Sequence, residues 1–181
     1  MSLSLLVGGT RGTFAEDSAR EVARVLDQAF GSESDWEGTP PHRFGETLAS
    51  GWAEFQARAA AELGWENVPN IAAISGDCRG VYLPASVRAV SLPLDAGGSL
   101  RCAGLHGLRR ELEELAERWG VPRDDDGLRM LLSSYVDPDD GPVADCPEVL
   151  TYALIALAAN EAVRRDCPLW LVGNGDEDSI T

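Results

Sequence analysis

Apolar positions along the chain change period several times, and each change marks an element. Residues 3 to 7, LSLLV, form a nearly unbroken apolar run, short enough to read as a buried strand. From about residue 14 to 30 the period becomes helical, with Ala19, Val22, Ala23, Leu26 and Phe30 on one face. Thr13 and Glu16 have capping-box spacing, and Glu16 stands four residues before Arg20, a favourable surface pair. The stretch GSESDWEGTPPHRFG loses all periodicity and is rich in Gly, Ser and Pro, which predicts a loop. A second helix is expected over about 45–63, where Leu48, Trp52, Phe55, Ala59 and Leu63 form a stripe that Gly64 stops. Gly51 in its middle costs about 1 kcal/mol relative to alanine, or admits a close-packed neighbour.

The centre has a different rhythm. VPNIAAIS, GVYLP and VRAVSLPL, separated by GDCRG and ASV, predict two or three strands joined by tight turns. Pro84 and Pro93 belong at strand ends or on an edge, because proline has no N–H to give a ladder. Leu105, Leu108, Leu112, Leu115 and Trp119 then recur at helical spacing up to Gly120. DDDGLRMLLSSYV offers acidic caps and a shorter helix. DCPEVLTYALIALAANEAVRR starts another, with Asp145 as expected cap, Pro147 in the first turn and Arg164 and Arg165 at its negative end. Apolar on nearly every side from Val149 to Ala159, it is expected to be the central buried helix. PLWLV reads as a last strand, and the remaining residues as a frayed acidic tail.

This order is not a regular alternation of strand and helix. It predicts an α+β fold: a single mixed or antiparallel sheet of about 4–5 strands, covered by about five helices, with a mainly helical C-terminal half. Residues 1–175 would make one globular domain and 176–181 a flexible acidic tail. A chain of 181 residues buries about 70% of its unfolded surface, so it needs neither metal nor disulfide to fold.

Charge changes the picture of what the chain can meet. Thirty acidic side chains against fifteen basic ones give a formal net charge of -15. Such a surface repels phosphates and anionic headgroups, which argues against nucleic acid or membrane as partner and favours a basic protein. The opening MSLSLLVGG has no basic segment or long apolar run, and YALIALAA is too short to span a bilayer. Cys78, Cys102, Cys146 and Cys167 are dispersed without C-x-x-C spacing. A soluble cytoplasmic domain with free thiols and no cofactor is the expectation.

Four stretches carry candidate chemistry. In VGGTRGTF, Gly8, Gly9 and Gly12 stand where a phosphate-binding turn would have them, between a strand and a helix. The spacing resembles the T-G-G-x-x-G-x-G loop of short-chain dehydrogenases, which implies a dinucleotide whose pyrophosphate meets the glycine backbone. Phe14 replaces the last glycine, and Tyr82, Tyr135 and Tyr152 are followed four residues on by Ser86, Asp139 and Ala156 rather than lysine. A plain strand-to-helix turn is therefore expected. In DPDDGPVADCPE, the acids Asp137, Asp139, Asp145 and Glu148 match part of a calcium loop, but Pro142 occupies the position that needs glycine. An acidic connection between helices, with two of those acids as caps, explains them without metal.

Cys78, beside Arg79 and between two glycines, is a candidate thiolate nucleophile, with His42 or His106 as the base it would need. Trp36 sits among Glu33, Asp35 and Glu37; exposed, it would make an aromatic anchor for lysine or arginine. Folded onto the core, it would be an ordinary loop tryptophan. The sequence thus favours a non-enzymatic acidic protein that binds a basic protein, as an inhibitor, immunity protein or adaptor. The alternative is a small enzyme using Cys78 or a nucleotide at the Gly8–Gly12 loop.

Overall fold

A computed structural model describes residues 2–31, 36, 38, 40–76, 79–136 and 146–173. Among the described residues six strands form one mixed sheet, accompanied by five helices, as the α+β reading expects with one strand more. In chain order the strands are β1 (Ser2–Val7), β2 (His42–Leu48), β3 (Arg79–Leu83), β4 (Val90–Pro93), β5 (Ser99–Gly104) and β6 (Leu169–Gly173). They lie side by side as β2-β1-β6-β3-β5-β4. Only β3 and β5 pair in parallel; every other neighbour is antiparallel.

The period-2 geometry of β1 splits its side chains between two cores. Leu3, Leu5 and Val7 face the larger one, packed by the helices α2 (Ala49–Leu63), α3 (Leu105–Trp119) and α5 (Pro147–Arg165). Leu6 faces the smaller core with Val81, Leu83, Leu100, Cys102, Trp170 and Val172, and this face is closed by α1 (Glu16–Phe30). The remaining helix, α4 (Asp125–Val136), packs on α5. The expected central helix is indeed buried along Thr151–Ala153 and Ile155–Ala159.

Local expectations failed in specific places. Residues 42–48 form the edge strand β2 rather than a loop and a helix start, because pairing with β1 overrides the weak propensities of HRFGETL. IAA within VPNIAAIS is a single 3-10 turn (Ile71–Ala73), not a strand. SLRCAG, carrying no run of β-branched residues, is β5, held by ladders on both sides. Thr13 does not cap α1: its hydroxyl donates to the carbonyl of Gly9 at 2.8 Å, and Ala15 precedes the helix without a side-chain cap. At α5 the flanking position is Cys146, again without a side-chain cap, while Asp145 lies outside the described residues. Pro147 starts that helix as expected. Pro93 ends the edge strand β4 and Pro84 follows β3, in keeping with their missing N–H.

One buried carboxylate ties the larger core together. Glu111 on α3 is 1% exposed and receives the backbone N–H of Ile71 at 2.8 Å, with further bonds from the backbone and side-chain amides of Asn70. Asn70 in turn accepts the N–H of Gly104 at 3.2 Å, and its carbonyl accepts the Tyr82 hydroxyl at 3.1 Å. Among the described residues no helix is long and apolar enough to cross a membrane.

Candidate functional site

The glycine turn is built against proline, not around open space. A Cβ on Gly8, whose φ is +148°, would lie 2.6 Å from the Cα of Pro41, and one on Gly12 would lie 3.1 Å from the ring of Pro41. Several of the turn's backbone groups are bonded within the protein. Gly8 N–H donates to Pro168 at 3.0 Å, Thr10 N–H to Trp36 at 2.7 Å, and Thr13 and Phe14 N–H both to Thr10. The Gly8 carbonyl accepts the indole N–H of Trp170 at 2.8 Å, and Gly9 is held through its bond from Thr13. Phe14 is buried edge-on against Trp170, with ring centroids 5.1 Å apart. Beyond it, α1 opens with Glu16 and Asp17, which oppose an anion at that helix end. Gly8 and Gly12 therefore serve close packing against Pro41.

The two candidate bases stand on separate elements. His42 opens β2 opposite Val7, and the same sheet row continues through Leu169 and Tyr82 to Ala103, just before His106 on α3. β2 and β5 thus stand four positions apart in the sheet, about 19 Å at the usual spacing, with His106 on the helix that follows β5. Both histidines are exposed, and His42 packs edge-on against Phe44. Cys78 lies outside the described residues. Its neighbour Arg79 places its guanidinium 5.9 Å from the ring of Phe14. Of the other thiols, Cys102 and Cys167 are buried, and burial pushes Cys102 up to about 12, far from a reactive thiolate.

Of the calcium candidates, Asp137, Asp139 and Asp145 lie outside the described residues. Glu148 sits at the start of α5 and is ion-paired with Arg58, whose guanidinium also lies 4.9 Å from the Trp119 ring. That carboxylate is therefore committed to joining α5 to α2.

Trp36 is 4% exposed and belongs to the smaller core, so it is no surface anchor; its flanking acids Glu33, Asp35 and Glu37 lie outside the described residues. The ring packs in the smaller core together with Phe14, Leu26 and Trp170. An exposed tryptophan stands elsewhere. Trp65 is 62% exposed, in a 3-10 turn (Trp65–Asn67) that follows α2, with exposed Glu62 and Glu66 beside it in the chain. The turn is fixed: Asn67 N–H donates to Gly64 at 3.0 Å, the Asn67 side-chain amide donates to Leu63 at 2.6 Å, and Val68 and Ile71 are fully buried just beyond. The sequence signal for Trp65 was the same as for Trp36, a tryptophan beside carboxylates; burial alone separates them.

A second feature escaped the sequence entirely. A cleft of about 750 Å³ opens between α3, α4 and α5. Leu112, Ala156, Ala159 and Val163 contribute its apolar lining, together with Tyr152, whose hydroxyl donates to the Pro122 carbonyl at 2.9 Å. Burial pushes the Tyr152 phenol up to about 12, with nearby Arg123 opposing. On the rim Asp125 receives Arg164 at 2.6 Å and the Asn160 side chain at 2.9 Å, with Arg129 at 3.7 Å. Burial raises the Asp125 carboxyl, but these partners outweigh it and hold the group below its ordinary value. Residues of the rim come from three elements, so no local motif announces them.

Comparison with family models, with curated proteins and with solved structures gives no match for this chain.

Proposed function

We propose that the protein binds a basic protein partner and that Trp65 is the centre of the contact. The observation that carries this reading is the exposure of Trp65 beside the exposed carboxylates Glu62 and Glu66 on a turn that is already fixed. An indole face attracts a lysine or arginine cation, and neighbouring carboxylates complete the recognition. Because the turn is braced by Val68 and Ile71, little ordering is lost when a partner docks. The net charge of -15 adds long-range attraction for a basic surface and speeds encounter. The role is that of a binder, such as an inhibitor, immunity protein or adaptor.

The test is affinity capture from lysate of the source organism with wild type and with Trp65→Ala side by side. The reading expects a basic protein that is released by salt and recovered about 30-fold less by the variant, the loss of a tryptophan hot spot. Equal recovery by the variant, or no basic protein at all, contradicts it.

A further inference from the structure

We propose that the cleft between α3, α4 and α5 is a separate site for a small amphiphilic anion, with a carboxylate or phosphate head and a short apolar body. Its volume of about 750 Å³ lies in the range that holds a small organic molecule. The lining carries four arginines, Arg109, Arg123, Arg129 and Arg164, against four acids, so the site is locally balanced on a strongly acidic chain.

The sign of the ligand follows from which groups are already engaged. Asp125 accepts Arg164 and Asn160, Asp124 accepts the N–H of Gly127 at 2.9 Å, and Asp126 pairs with Arg129 at 3.3 Å. Arg164 is held further by Glu161. Two guanidiniums are left largely unused. Arg109 pairs with Glu113 through Nε at 3.1 Å, and among the described residues its guanidinium has no other acidic partner. Among the described residues the Arg123 guanidinium has one distant acidic contact, 3.9 Å to the exposed Glu117. The donors left over are thus cationic N–H groups, suited to a carboxylate or phosphate. Leu112, Ala156, Ala159 and Val163 offer the apolar wall against which the rest of such a molecule would lie.

The experiment is a backbone amide NMR titration of the full chain with octanoate and, separately, octyl phosphate, with octyltrimethylammonium as the cationic comparison. The expected result is saturable binding of one or both anions, with shifts concentrated in residues 109–113, 123–129 and 156–164. The Arg109→Gln/Arg123→Gln double variant should bind about tenfold more weakly, with an unchanged melting temperature since both side chains are about half exposed. Octanoate alone would define a carboxylate ligand, and octyl phosphate alone a phosphate ligand. Shifts scattered over the surface, equal binding by the double variant, or binding of the cation as tightly as the anions would overturn the proposal.

Discussion

The carboxylate of Glu111 sits 2.8 Å from the backbone nitrogen of Ile71, on a side chain only 1% exposed. The bond joins α3 to the 3-10 turn Ile71–Ala73, and Asn70 before that turn passes the connection on to Gly104 at the end of β5 and Tyr82 in β3. Burial raises the Glu111 carboxyl above its ordinary value, while the N–H donors of Ile71 and Asn70 pull the other way.

For Glu111→Gln the expected cost at neutral pH is roughly 1–3 kcal/mol, since an amide N–H₂ would face amide donors that need an acceptor. The pH dependence has a definite sign. A carboxyl raised in the folded state binds protons more readily there than in the unfolded chain. Its contribution is fully present below the unfolded value near 4.5 and is lost as pH rises through the folded value. In urea unfolding, the stability of wild type relative to Glu111→Gln should therefore grow as pH falls from 7 towards that value. A difference that shrinks on acidification would contradict the account.

Gly8→Ala should destabilise by roughly 1–3 kcal/mol, because a methyl group meets Pro41 backbone at a φ that side chains rarely adopt. Gly31→Ala is the control: its φ is +88° but among the described residues nothing lies within 4 Å, so only the backbone penalty of roughly 1–2 kcal/mol remains. Thermal shift with millimolar NAD or ATP should leave the melting temperature unchanged. A nucleotide-dependent rise abolished by Gly8→Ala would restore the pyrophosphate reading.

Asp125→Asn removes the acceptor shared by Arg164, Arg129 and Asn160 and should cost about 1 kcal/mol, modest because the arginines are half exposed. The Asp125 carboxyl is depressed on folding, so its contribution is present above the unfolded value and disappears as pH falls through the folded one. A double-mutant cycle with Arg164→Gln, measured at neutral pH and again in acid, should show a coupling that vanishes in acid.

Trp36 and Trp65 should behave oppositely. Trp36→Ala removes a buried ring from the smaller core and should cost about 3–5 kcal/mol in denaturant unfolding. Trp65→Ala leaves stability within about 0.5 kcal/mol, since its ring is mostly in water. Equal costs would mean that the two environments have been misassigned.

What the sequence made legible was what a single element encodes. The stripe from Leu105 to Trp119 ends at Gly120, which adopts the left-handed conformation, and the apolar run from Val149 became the central helix. What it hid depended on distant partners. HRFGETL becomes a strand only because β1 lies beside it, and SLRCAG only because β3 and β4 flank it. The fate of the two tryptophans followed the same rule, since Trp36 is buried by residues distant in sequence, such as Leu94, Leu100 and Trp170. The cleft is the extreme case: Arg109, Asp125 and Asn160 come from three helices, and only packing brings them to one rim.

The basic partner docking at Trp65 is tested most directly by zero-length carbodiimide cross-linking of the captured complex, followed by peptide mapping. All fifteen basic residues counted in the net charge are arginine, so carboxylate-to-lysine links within the chain do not form, apart from its terminal amine. The account predicts bonds from Glu62 or Glu66 to lysines of the partner, lost when Trp65 is replaced by alanine. Links that map to other carboxylates and persist in that variant would contradict it.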